Sequence, residues 1–178
     1  MLLKPNYNIE SIYDIDIEEL KTTGINALFF DLDSTLMKSK SGKFSFKTIQ
    51  YLNDLKSNFK LAIITNNKRQ EYIDKVKSQT DIPVYSDAKK PGTKILLKAC
   101  KEINVNPTNT AMIGDRPLSD ILGGINAKMT TILVDSISKN EESVLVRFVR
   151  FLERLTIEKY WFFSLYNLNL QNKRYIIK

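Results

Sequence analysis

The chain has 178 residues, 43% apolar and 26% charged, with no histidine, one cysteine and a formal net charge of +7. The missing histidine excludes Ser-His-Asp and Cys-His hydrolysis, His-ligated zinc and histidine general bases, so carboxylates and lysines must carry any catalysis. The length suits one domain, no apolar run approaches a membrane span, the lone Cys100 suits a reducing compartment, and Lys4, Glu10, Asp14 and Asp16 exclude the apolar core of a cleavable secretory signal.

In chain order, Ile17–Lys21 predicts a short helix stopped by Gly24. The run Ala27–Leu36 then opens as four apolar residues, the pattern of a strand buried on both faces, and breaks at Asp31 and Asp33. Those carboxylates must sit just beyond the strand's carboxyl end, where open α/β sheets bind ligands. A Lys- and Ser-rich stretch, Met37–Lys43, leads to a helix with Ile49, Leu52, Leu55 and Phe59 on its apolar face. Leu61–Ile64 predicts a second strand, ending in Thr65-Asn66-Asn67, and a polar helix follows from Lys68 to about Ser78.

A third strand at Val84–Tyr85 precedes Asp87–Pro91, with Pro91 expected at the first position of a helix ending near Asn104. Cys100 lies on that helix's apolar stripe with Leu96, Ala99 and Ile103, which predicts a buried structural thiol. Thr110–Ile113 is a fourth strand closing in Gly114-Asp115, Asp120 lies a turn further on, and Thr131–Val134 is a fifth strand. This alternation predicts a parallel sheet covered by helices on both faces.

Four strands thus end in polar residues: Asp31 and Asp33, Thr65 and Asn66, Lys90, and Asp115 with Asp120. Singly each has a structural reading, as a turn cap, a loop residue or a solvated charge. Together they supply what Mg²⁺-dependent phosphoryl transfer needs. Asp31 can take the phosphoryl group and Asp33 can protonate the leaving oxygen and then activate water. Thr65, Asn66 and nearby backbone N–H groups can grip phosphate, Lys90 can neutralise it, and Asp115 can complete a metal site.

At these residues the sequence resembles the haloacid dehalogenase (HAD) superfamily, subclass IIIA. Its four motifs match Asp31-Leu32-Asp33-Ser34-Thr35, Thr65-Asn66-Asn67, Lys90-Pro91 and Gly114-Asp115 with Asp120. The longer string Ile113–Gly124, with Ala88–Pro91, Thr131–Val134 and the lead-in Ser11–Ile15, is closest to the YqeG-like group, which includes mitochondrial phosphatidylglycerophosphate phosphatase and plastid relatives. The resemblance implies a Rossmann-like core and an Mg²⁺-dependent phosphomonoester phosphatase working through an aspartyl-phosphate, with phosphatidylglycerophosphate as the expected substrate. It further implies Mg²⁺ held by the Asp31 carboxylate, the Asp33 backbone carbonyl and Asp115, with Asp120 orienting Lys90 or a metal-bound water and Thr35 in support. Three positions depart from the group's pattern: Ser34 stands where Asn is frequent, Arg116-Pro117 replaces a commoner pair, and Lys128 replaces a usual Gly.

Cap domains of relatives enter after the first motif or between the second and third, and both stretches are too short for one here. The expected site is therefore open, as suits a phosphate carried on something large. Residues 1–140 are read as the capless core and 141–178 as an attached amphipathic helix with an aromatic, basic tail. In that helix Arg147, Arg150 and Arg154 lie beside an apolar face with Phe148, Phe151, Leu152 and Leu155, followed by Tyr160–Phe163. Such a helix can lie on an anionic membrane or pack on the protein's own core. Nucleic-acid binding lacks a recognition motif. The alternatives are a phosphatase for a protein, nucleotide or polynucleotide phosphate, and a basic phosphate-recognising module without turnover. The expected location is cytoplasmic or in an organellar stroma or matrix, on the membrane periphery if the helix binds lipid.

Overall fold

The structure, a computed structural model, describes residues 3–139, 143–149, 151–154 and 157. Strands β1 (Tyr7–Asn8), β2 (Ala27–Phe30), β3 (Lys60–Ile64), β4 (Val84–Tyr85), β5 (Thr110–Gly114) and β6 (Thr130–Leu133) form one parallel sheet in the order β1-β6-β5-β2-β3-β4. The connecting helices are α1 (Ile17–Thr22), α2 (Phe46–Leu55), α3 (Gln70–Lys77), α4 (Lys94–Glu102) and α5 (Leu122–Asn126).

The unbroken apolar run of β2 is explained by its place at the sheet's centre, between β3 and β5, where all four residues are buried. Leu28 and Phe30 face a layer built from Leu20 of α1, Leu52 and Leu55 of α2 and Val76 of α3. Ala27 and Phe29 face Leu96, Ala99 and Cys100 of α4, together with Ala127 and Met129. Because side chains alternate across a strand, a strand covered on both sides must be apolar at every position. Cys100 is buried in that second layer, as the stripe predicts.

Gly24 takes the left-handed conformation (φ +82°) just past α1, and its N–H bonds back to Lys21 O at 2.9 Å. The start of α4 differs from expectation. Pro91 belongs to a turn closed by Gly92 N–H to Lys89 O at 2.8 Å, its peptide bond with Lys90 is cis, and α4 begins three residues later at Lys94. Strand β1 has no counterpart in the sequence reading. Asn6 fastens its start to β6, Thr131 N–H donating to Asn6 Oδ1 at 2.9 Å.

Only the loop 31–45 separates β2 from α2, and only α3 lies between β3 and β4, so neither connection carries a cap domain. Residues 144–149 and 151–154 are helical, and Val144, Leu145, Phe148, Phe151 and Leu152 are exposed. The opposite side meets the core: Ile157 packs with Leu3, Ile121 and Leu133, and the buried Glu153 carboxylate pairs with Arg116 at 2.6 Å. Among the described residues, these exposed apolar side chains are not covered by the sheet. Arg150, Leu155 and Tyr160–Phe163 lie outside the described residues.

Candidate active site

Strand β2 leads through α2 to β3 on one side, whereas its neighbour β5 leads through α5 to β6 on the other. Adjacent strands whose connections part in this way leave a crevice at their carboxyl ends. Asp31 directly follows β2, and its N–H continues the ladder to Ile113 O at 2.8 Å; Asp115 directly follows β5. The two carboxylates therefore owe their nearness to strand pairing rather than to a mobile loop.

Lys90 reaches the same crevice from beyond β4. Its Nζ lies 2.6 Å from Asp31 Oδ1, 2.7 Å from Asp120 Oδ1 and 2.8 Å from Ile64 O, and the residue is only 6% exposed. Asp120 stands on a π-helical turn, Pro117–Ile121, whose wider winding brings the N–H groups of Asp120 and Ile121 onto Arg116 O at 2.8 and 3.4 Å. Arg116 N–H in turn donates to Asp120 Oδ2 at 3.0 Å. The carboxylate lies so close over Gly114 that a Cβ there would fall 2.4 Å from Asp120 Cγ. Glycine at this position is a packing requirement of the acid opposite it.

Asp31, Asp115 and Asp120 are all buried and place carboxylate oxygens within 4.8 Å of one another. With all three acids ionised and Lys90 charged, the group would carry a net −2. Burial, aided by Asp120 and Asp115 and opposed by Lys90, pushes the Asp31 carboxyl from 3.8 up to about 8. Burial alone would lower Lys90, but Asp120 and Asp31 outweigh it and hold the ammonium above its ordinary range, so Lys90 stays charged. An all-oxygen donor set with an excess of two negative charges fits a hard divalent cation such as Mg²⁺ and would return Asp31 to its anionic form.

Thr35 Oγ1 donates to Asp115 Oδ1 at 3.2 Å. Asp33 is half-buried, and its side chain is not in the carboxylate group; Oδ1 accepts from Tyr72 Oη at 2.6 Å and from Lys40 N–H at 3.0 Å. That leaves untouched the expectation that its backbone carbonyl serves a metal. Burial and the Asp33 contact raise the Tyr72 phenol well above its usual range, so Tyr72 is the donor. Thr65 is buried, its hydroxyl accepting from Asn67 N–H at 3.1 Å. Asn66 turns its side chain to the backbone of Lys90, accepting from Lys90 N–H at 2.7 Å and donating to Lys90 O at 3.1 Å. The geometry thus gathers Asp31, Lys90, Asp115 and Asp120, sets Asp33 beside them on the same loop, and gives Asn66 the task of fixing Lys90. Tyr72 was not legible from sequence, because a tyrosine in a polar helix carries no mark of an acid 39 positions earlier. A cleft of about 490 Å³ bordered by Tyr7, Glu10, Asp14 and Glu19 includes none of these residues.

A family model described as HAD-hydrolase-like matches residues 88–147. The chain is 27% identical over 151 residues to "Probable phosphatase YqeG" of Bacillus subtilis, covering 84% of this chain and 87% of that protein. It is 26% identical over 166 residues to "Phosphatidylglycerophosphate phosphatase 1, chloroplastic/mitochondrial" of Arabidopsis thaliana, covering 88% of this chain and 47% of that one. The chain therefore spans just under half the plant protein's length. Among solved structures, the HAD phosphatase from Thermococcus onnurineus superposes with a TM-score of 0.52 at 16% identity, covering 67% of this chain and 89% of that one. At that identity the likeness bears on the fold.

Proposed function

We propose that this chain, a HAD-type phosphatase of the YqeG-like group, hydrolyses the phosphomonoester of phosphatidylglycerophosphate at an anionic membrane surface with Mg²⁺ as cofactor. The observation that carries the reading is the buried Asp31–Lys90–Asp120 arrangement with Asp115 at the capless end of the sheet. The likeness to the plant phosphatase supports the lipid substrate, and the exposed apolar side chains of Val144, Leu145, Phe148, Phe151 and Leu152 support the membrane setting. A phosphate on a headgroup needs a site it can enter without leaving the bilayer, and neither usual cap position is filled here.

In this mechanism Asp31 attacks phosphorus, forming its Oδ–P bond as the ester P–O bond breaks, and Asp33 gives its proton to the departing alkoxide. Water then attacks the aspartyl-phosphate and passes a proton to Asp33, releasing inorganic phosphate and restoring Asp31. Lys90 offsets charge on the phosphoryl oxygens, and Thr65 with neighbouring backbone N–H groups orients them. Asp31, Asp115 and the Asp33 carbonyl would hold Mg²⁺, which when bound would further neutralise those oxygens. Asp120 and Asn66 keep Lys90 in place, and Thr35 keeps Asp115.

The test is turnover across phosphorylated lipids in vesicles, soluble sugar phosphates, phosphopeptides and polynucleotide ends. The expected result is selective release of phosphate from phosphatidylglycerophosphate, lost on chelation, restored by Mg²⁺ and absent in Asp31→Asn. Preference for a soluble phosphoester would overturn the substrate, and wild-type turnover in Asp31→Asn would overturn the mechanism.

A further inference from the structure

The polar loop that follows the nucleophile strand is held by one face of a helix whose residues have no other role so far. Tyr72, Lys75 and Gln79 recur at three- and four-residue steps along α3 and just past its end, the spacing that puts side chains in a row. Each touches the loop. Tyr72 Oη donates to Asp33 Oδ1 at 2.6 Å, Lys75 Nζ to Ser41 O at 3.4 Å, and Gln79 Nε2 to Gly42 O at 2.9 Å; Gln79 Oε1 accepts from Phe44 N–H at 3.1 Å. The Tyr72 ring lies against Gly42, where a Cβ would come within 3.2 Å of Cε2, and Gly42 itself is left-handed at φ +59°. The same loop delivers Lys40 N–H to Asp33 Oδ1 at 3.0 Å.

We infer that Tyr72 is a positioning residue for the proton donor: with the loop clamped on α3, it fixes the rotation of the Asp33 carboxyl by occupying Oδ1. Two donors on Oδ1 leave Oδ2 as the oxygen that carries the proton to the leaving group. The inference rests on Asp33 acting as general acid. Its consequence is chemical. A poor leaving group such as a glycerol alkoxide needs that proton as the P–O bond breaks, whereas p-nitrophenolate leaves readily without it.

The experiment compares kcat/KM over a series of aryl and alkyl phosphate monoesters for the full chain, Tyr72→Phe, Asp33→Asn and the double variant. Because kcat/KM reports steps through phosphoryl transfer, hydrolysis of the aspartyl-phosphate does not enter. Tyr72→Phe keeps the ring against Gly42 and removes only the hydroxyl. It should lose roughly tenfold to a hundredfold on alkyl phosphates and much less on p-nitrophenyl phosphate, steepening the dependence on leaving-group pKa. In the Asp33→Asn background it should add little, since the two act as one unit. A uniform loss across the series, no loss at all, or full additivity in the double variant would overturn the role of Tyr72. If Asp33→Asn itself leaves the slope unchanged, the general-acid assignment falls and the inference falls with it. A steeper slope in Asp33→Asn alone would remove only the part given to Tyr72.

Discussion

Lys90 is the residue on which the rest of the site depends. Its ammonium sits among two carboxylates and the Ile64 carbonyl, out of water, so removing it leaves buried negative charge without compensation. Breaking such a pair from one side costs about 3–5 kcal/mol of stability, and in the role proposed for Lys90 losing a donor to developing charge costs roughly a thousandfold in rate. Lys90→Ala should therefore lower both melting temperature and kcat. Lys89 next to it is exposed and pairs with Asp87 at 3.5 Å, so Lys89→Ala should stay within about 0.5 kcal/mol and keep near-normal turnover. Comparable losses at both would mean that the third motif lies elsewhere. Two departures noted in the sequence also have a backbone basis. Ser34 and Lys128 take φ of +70° and +61°, the region that Asn and Gly enter most readily, so the group's usual residues there answer a conformational demand that Ser and Lys meet at some cost.

At the scale of elements, the strands that carry chemistry were legible because each reads as a short apolar run ending in a polar residue. Helix α2 was legible from its apolar spacing. What escaped were features set by distant partners. Strand β1 is two residues long and exists through β6 and the Asn6–Thr131 contact, and the π-helical turn arises from Arg116 O receiving the N–H groups of Ser119, Asp120 and Ile121 while Asp120 folds over Gly114. Neither leaves a periodic mark. The helical residues 144–149 and 151–154 were legible as amphipathic, but not which way their apolar face would turn. Of the three arginines Arg147 is exposed, Arg154 pairs with Asp135 and Arg150 lies outside the described residues, which makes the aromatic side the better probe. Phe148 and Phe151 are each 56% exposed. Replacing both by Glu should weaken cosedimentation with anionic vesicles and turnover of membrane-borne substrate, and leave hydrolysis of p-nitrophenyl phosphate nearly unchanged. Equal losses on both substrates would assign the face to the fold.

For the whole molecule, the sheet order explains how residues from four places in the chain meet at one end of a single layer. Asp31 and Asp115 follow adjacent strands, Lys90 enters from the edge beyond β4, and Asp120 returns on the turn after β5. No helix among the described residues is long and apolar enough to cross a membrane, so attraction to a bilayer would depend on the exposed face and on the net charge of +7. That charge complicates every control, because a variant of the proposed nucleophile such as Asp31→Asn also makes the protein more cationic and strengthens nonspecific attraction to lipid. The close packing at Gly114 offers a way round. An alanine there drives Asp120 off Lys90, since the new methyl and the carboxylate carbon cannot coexist 2.4 Å apart, and no ionisable residue changes. Gly114→Ala should cosediment with anionic vesicles as the wild type does while its phosphate release drops roughly a hundredfold or more. It would be an inert protein of unaltered charge, against which membrane affinity can be measured without consuming the lipid that is being bound.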